Sequence, residues 1–239
     1  MRLRAALFDV GNTLLTLDYP RLAREVGPVA GVTLTPQNLA AQGAEAARAM
    51  EAATGGDGER ARVYLQTLFR LAGVPAGRMP DVERRLYELH YEQHLWSGVD
   101  PDTPAALSRL RAAGWRLGVV SNSDGRVDDA LAAAGLLKHF EVVIDSGLVG
   151  VEKPAPAIFR AALDRMGVRA AEALYVGDVY EVDVVGARAA GMGAILLDPD
   201  GRYAGSDVTT ARTVAEAVEL MLRTQDTGLR TQDSGFSLS

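Results

Sequence analysis

The chain has 239 residues, 48% hydrophobic and 23% charged, with a formal net charge of -6 and no cysteine. That length and composition belong to an ordinary globular protein of one large or two modest domains. The acidic balance leaves no basic footprint for nucleic acid, and the missing cysteines exclude disulfides, thiolate nucleophiles and cysteine-based zinc sites. No uncharged apolar run is long enough to span a bilayer. Arg2 and Arg4 precede an apolar run, but Asp9 interrupts it too early for a signal peptide, so a cytoplasmic protein with no membrane partner is expected.

In chain order, Ala5-Ala6-Leu7-Phe8 is a short apolar run closed by Asp9-Val10-Gly11-Asn12-Thr13, which reads as a buried strand delivering a carboxylate into a turn. From Asp18 to Trp96 helical spacing replaces the strand pattern, with helices expected over 37–53, 58–72 and 81–95. Short connections between helices make bundles, so residues 18–96 are expected to form an all-helical insertion. Beyond it, strands at 116–120, 141–144, 173–176 and 194–197 alternate with helices at 103–113, 127–134, 155–166 and 184–190. Strands alternating with helices of this length form βαβ units on a parallel sheet. The expected fold is therefore α/β, a doubly wound, Rossmann-like core from 1–17 and 97–222 around a helical cap, with a closing helix over 213–222. The last stretch, 223–239, continues a near-repeat, Leu222-Arg-Thr-Gln-Asp-Thr-Gly followed by Leu229-Arg-Thr-Gln-Asp-Ser-Gly. One leucine per seven residues cannot build a coiled-coil seam, and a disordered tail is expected there.

Asp9, Ser121, Lys153 and Asp178 each follow an expected strand, and parallel strands place their carboxyl ends on one edge of the sheet. Asp183 lies within reach of the same edge. Two unit charges about 4 Å apart repel by roughly 4 kcal/mol at an effective dielectric near 20, so three acids at one point call for cations. Lys153 supplies one charge and a divalent metal two, and all-oxygen ligands suit Mg²⁺. Ser121 and Thr13 add hydroxyls, and the amides of Ser121-Asn122-Ser123 are expected to form a concavity for an anion. An anion site beside a metal and a carboxylate nucleophile points to phosphoryl transfer through an aspartyl-phosphate on Asp9.

Phe8-Asp9-Val10-Gly11-Asn12-Thr13-Leu14, Val119-Val120-Ser121-Asn122, Lys153-Pro154 and Val176-Gly177-Asp178 through Asp183, followed by Gly186-Ala-Arg-Ala-Ala-Gly191, resemble the four motifs of the haloacid dehalogenase-like hydrolases, in order and across residues 1 to about 200. The resemblance implies Asp9 as nucleophile, Lys153 as the cation steadying nucleophile and phosphate, and Ser121 as phosphate ligand, with Thr13 and Asn122 beside the substrate. It implies Asp178 as a metal ligand and Asp183 as a second ligand or an outer partner, with the metal also touching the backbone carbonyl at position 11. The insertion is similar to the family's cap.

One position departs from the pattern. Phosphatase members carry a second aspartate two residues after the nucleophile, where it protonates the leaving group, and here that residue is Gly11. General acid catalysis is typically worth about 10²–10⁴-fold, so a weakened or relocated acid is expected. Three readings stay open: a Mg²⁺-dependent phosphatase of small phosphorylated metabolites, a metal-independent dehalogenase-type hydrolase, and a catalytically impaired protein that binds phosphorylated ligands or a partner. Singly, each site residue also has a structural reading as a helix cap or a turn. His90 and His94 have zinc-ligand spacing on a helix but lack a third ligand, and are expected to be cap surface.

Overall fold

The computed structural model describes residues 3–227. The chain divides into two compact units, one of residues up to Leu15 and from Val99 on, the other Thr16–Gly98. In chain order the strands are β1 (Ala5–Phe8), β2 (Thr16–Leu17), β3 (Trp96–Gly98), β4 (Arg116–Ser121), β5 (Val142–Asp145), β6 (Ala173–Gly177), β7 (Gly193–Leu197) and β8 (Thr209–Ala211). The α-helices are α1 (Tyr19–Ala30), α2 (Pro36–Ala41), α3 (Gly43–Ala52), α4 (Asp57–Leu71), α5 (Met79–Glu92), α6 (Thr103–Ala112), α7 (Val127–Ala133), α8 (Ser146–Val149), α9 (Pro156–Met166), α10 (Val185–Ala189) and α11 (Val214–Thr227).

The first unit is built on a six-stranded, wholly parallel sheet in the order β5-β4-β1-β6-β7-β8. Strand β1 is central, and all four of its residues are fully buried, as a parallel strand covered on both faces requires. On one face α9 and α10 pack Ile158, Phe159, Ala162, Leu163 and Ala187 against Ala5, Leu7, Val120 and Tyr175. Helix α9 has Pro156 at its start, where no amide is needed, and ends at Gly167 with φ 60°, the left-handed closure that glycine permits. Strand β8 was not expected. It is three residues long, too short to show a period in sequence, and pairs with β7 from Ile195↔Thr209 to Leu197↔Ala211.

Helix α11 corrects the expected tail. It runs to Thr227, past the expected stop at Leu222. Val214, Ala217, Val218, Met221 and Thr224 recur at helical spacing as one buried stripe, and Thr224 Oγ1 donates to Leu220 O at 2.8 Å. The remainder of the stretch expected as tail lies outside the described residues.

The second unit is helical, with a two-stranded antiparallel ladder of β2 and β3 at the chain's points of entry and exit. The ladder borders the insertion expected over 18–96, and between its two strands every regular element is helical. Its core gathers Leu22, Val26, Leu39, Tyr64, Leu68, Phe69, Val82, Leu86 and Leu89. Helix α1 was not anticipated, because Pro20, Gly27 and Pro28 punctuate its pattern. Pro20 stands in the first turn, where its missing N–H costs nothing, and Asp18 caps the helix by accepting from Arg21 N at 2.9 Å. The single helix expected over 37–53 is two, parted at Gln42 ahead of Gly43, a weak helix former. His90 and His94 lie 4.6 Å apart by ring centroid and serve the end of α5: Leu95 N donates to His90 Nδ1 and His94 Nδ1 meets Trp96 O. No helix among the described residues is long and apolar enough to cross a membrane.

His139, at the foot of the sheet ahead of β5, is 4% exposed and neither of its ring nitrogens has a hydrogen-bond partner. Burial, with the charges of Lys138 and Arg111, lowers its pKa below 6.5. The folded state therefore binds this proton less readily than the unfolded chain, and the stability held above about pH 6.5 falls on acidification. His139→Gln is expected to flatten the decline in urea midpoint between pH 7.5 and 5. An unchanged slope would place the acid sensitivity elsewhere.

Candidate active site

Three neighbouring strands deliver the site. Phe8 is level with Val119 of β4 and Val176 of β6, so Asp9, Ser121 and Asp178 emerge together at the carboxyl edge of the sheet. Asp9 N donates to Val176 O at 2.8 Å, which carries the pairing one residue past β1. The chain then turns at Asn12, whose φ of 53° is a left-handed conformation that asparagine tolerates. Asn12 hydrogen-bonds the Asp178 carboxylate through its side chain.

Lys153 is the centre of the cluster. Its Nζ donates to Asp9 Oδ1 at 2.6 Å, Asp183 Oδ1 at 2.7 Å and Tyr175 OH at 2.9 Å, so each of its three N–H bonds has an acceptor. The ammonium is 3% exposed, Asp183 1% and Asp9 10% by side chain. Burial by itself would lower the lysine pKa, but Asp183 and Asp9 outweigh it and hold it well above its ordinary value. Burial raises Asp9 to about 7, with Lys153 opposing and Asp183 adding to the rise. Burial followed by Asp9 and Asp183 raises Asp178 well above the usual carboxylate range. Asp9, Asp178 and Asp183 each offer a carboxylate oxygen within 4.8 Å of the others. Three acids facing one lysine carry an excess of negative charge that a divalent cation on hard oxygen ligands would balance.

Asp183 is held from two sides. Its Oδ2 accepts from Asp178 N at 3.0 Å and Val179 N at 2.9 Å, closing the turn after β6, while Oδ1 faces Lys153. Gly177 makes that closure possible, because a Cβ there would lie 2.3 Å from the Asp183 carboxyl carbon. Gly186 does the same for the Lys153-Pro154 segment, since a Cβ would meet the Phe159 ring at 2.7 Å and Pro154 Cα at 3.0 Å.

Two expectations change. Asn122 was expected beside the substrate, yet its Oδ1 accepts from Lys153 N at 2.7 Å and its Nδ2 donates to Lys153 O at 3.1 Å, so its amide grips the lysine backbone. The anion concavity expected from the amides of Ser121-Asn122-Ser123 is also altered, because Ser123 N donates to Ser146 Oγ at 3.0 Å. The helix that follows begins only at Val127, has Asp128 and Asp129 in its first turn, and is no anion site. The buried Asp145 accepts from Gly125 N, Val127 N and Gly147 N at 2.9–3.2 Å. Asp145 and Ser146 thus fasten the loop after Ser121. Two hydroxyls stand ready for a ligand: Thr13 Oγ1 is buried with no partner, and Ser121 Oγ makes a long 3.3 Å contact to Asn122 O.

Asp145, Ser146 and Tyr175 were missed from sequence. The signal for Asp145 was an acid ending an apolar run at the same edge, and for Tyr175 a phenol inside an otherwise aliphatic strand.

A doubly wound α/β core with a buried carboxylate and ammonium centre at the carboxyl edge of its sheet defines the class. The chain belongs to the haloacid dehalogenase-like hydrolases, whose family model matches residues 3–191. It is 43% identical over 136 residues to the haloacid dehalogenase-like hydrolase domain-containing protein 3 of Mus musculus, covering 56% of this chain and 53% of that one. It is 34% identical over 160 residues to the phosphoserine phosphatase of Thermus thermophilus, covering 66% and 64%. The chain thus spans about half to two thirds of the length of these relatives. Among solved structures, a haloacid dehalogenase-like phosphatase from Thermococcus onnurineus aligns with a TM-score of 0.56 and 26% identity over 92% of this chain and 98% of that one.

Gly177→Ala is expected to destabilise the protein by about 1–3 kcal/mol, the range for overpacking a tight site. The urea midpoint measures it. A variant as stable as the parent would show that Asp183 can retreat without loss.

Proposed function

We propose that the chain is a Mg²⁺-dependent phosphatase of small phosphorylated metabolites, with Asp9 as nucleophile. The observation that carries this reading is the Lys153 ammonium bound at once to Asp9 and Asp183 within a group of three acids. The phosphoserine phosphatase named above supports a phosphate monoester as the substrate class.

The oxygens of Asp9 and Asp178, with the Gly11 carbonyl, fit Mg²⁺, which when bound would neutralise charge on the phosphoryl group. Asp183 is better suited to an outer position, since Oδ2 already accepts two amides and Oδ1 the lysine. In the reaction an Asp9 oxygen attacks phosphorus while the bond to the leaving oxygen breaks, and Lys153 offsets the charge gathering on both partners. Ser121 and Thr13 donate their hydroxyls to phosphoryl oxygens. Water then attacks the phosphorus of the aspartyl-phosphate, which releases phosphate and restores the Asp9 carboxylate. Three acids facing one lysine argue against the metal-free dehalogenase reading.

Hydrolysis of an aryl phosphate is expected to require Mg²⁺, to cease with a chelator, and to fall by at least about 10³-fold in Asp9→Asn. Activity retained by the purified variant would remove Asp9 as nucleophile. Gly11 provides no side-chain acid, so kcat is expected to fall steeply as the leaving group grows more basic. Gly11→Asp is expected to restore alkyl phosphate turnover by up to about 10²-fold, within the usual range for a general acid. A flat leaving-group dependence in the parent would mean that another donor already acts there.

A further inference from the structure

We infer that Tyr175 is a positioning residue that sets the location of the Lys153 ammonium between the strand ending in Asp9 and the strand ending in Ser121. The inference rests on the reading of Lys153 as the cation of the phosphatase site.

Tyr175 is fully buried on β6, with its ring edge-on to Phe159 at 5.0 Å. Its hydroxyl has two partners, Lys153 Nζ at 2.9 Å and Val120 O at 2.7 Å. An ammonium has donors only and a carbonyl is only an acceptor, so the direction of both bonds is determined: the phenol accepts from Lys153 and donates its one proton to Val120 O. Burial holds the phenol well above its ordinary pKa, which keeps that proton in place.

The topology gives the contact its reach. Strands β6 and β4 flank β1, and Val120 immediately precedes Ser121. A side chain from β6 that ends on a β4 carbonyl therefore spans the strand carrying Asp9, and Lys153 is tied to that bridge. Two carboxylates alone would leave the ammonium free to pivot about the line joining them. A third acceptor removes that freedom, and a neutral one does so without adding negative charge. Phenylalanine in its place would leave the third N–H of a buried ammonium without its acceptor, and another acid would draw the lysine away from Asp9. The chain is otherwise strongly biased to arginine, with all but two of its 25 basic residues of that type. A planar guanidinium cannot place three N–H bonds on oxygens 2.6–2.9 Å from one nitrogen, as the ammonium does here.

That bias makes the test direct. The two lysines are Lys153, which is buried, and Lys138, which is exposed. In full-length protein labelled with ¹⁵N-lysine, Lys153 is expected to give a slowly exchanging ammonium signal, absent from Lys153→Met, while Lys138 exchanges rapidly. Tyr175→Phe keeps the ring and its packing and deletes the hydroxyl. In that variant the Lys153 signal is expected to exchange at least about tenfold faster, and kcat on an aryl phosphate with Mg²⁺ to fall by about 10–10²-fold with KM within about twofold, as for a misplaced reacting group. A Lys153 signal in fast exchange in the parent overturns the inference without any variant. An unchanged signal in Tyr175→Phe, or a kcat equal to the parent's, also overturns it. Absence of phosphatase turnover in the parent would instead overturn the phosphatase reading, and the ammonium signal would still decide whether Tyr175 holds Lys153.

Discussion

The Lys153 ammonium lies at 2.6–2.9 Å from two carboxylate oxygens and a phenol, with almost no exposure to water, and the rest of the core unit is arranged around that group. A buried charge is tolerable only when paired and fully hydrogen-bonded, and removing one partner of such a pair typically costs about 3–5 kcal/mol. The lysine satisfies that condition with nothing left over, since three donors meet three acceptors. The acids do not satisfy it. Asp9 and Asp178 are both shifted toward protonation, chiefly by burial. Their unfavourable placement is the reason to regard the cluster as a place for ligands rather than as a stabilising ion pair.

Holding one group this tightly requires support from several elements. Asn122 pairs with the Lys153 peptide through both ends of its amide, and Asp183 closes the turn behind Asp178. Asp145 and Ser146 fasten the loop after Ser121 by taking up its amides. Gly177 and Gly186 allow carboxylate and ring to approach the backbone where a methyl group would collide. The supporting residues are polar or small: Asn122 and Gly177 are chain neighbours of Ser121 and Asp178, whereas Asp145, Ser146 and Gly186 come from other segments.

The balance of charge and the missing acid describe the same chemistry from two sides. An excess of carboxylates suits a divalent cation and a phosphoryl group whose own charge must be offset. Gly11, by contrast, has no side chain that could donate a proton. On the proposed reading, catalysis here leans on neutralising charge at phosphorus more than on assisting departure.

Much of this was legible in the residues themselves. The apolar run into Asp9, the alternation of strands and helices, and the order of the four motifs placed Asp9, Ser121, Lys153 and Asp178 on one edge of a parallel sheet, because a period of two or 3.6 and the common direction of parallel strands are local properties of the chain. Helix α1 and strand β8 were not legible, the first because prolines masked a sound helix and the second because three residues show no period. The part played by each polar group was decided only by tertiary structure. Asn122 turned from a presumed substrate contact into a grip on Lys153, the Ser123 amide proved to be taken by Ser146, and Tyr175 emerged at the centre of the site. Each of these three hydrogen bonds joins atoms a few ångströms apart whose residues lie 22 to 31 positions apart in the chain. Composition and spacing determine which groups reach the edge, and only the packing of β4, β5 and β6 determines which of them remain available for a ligand.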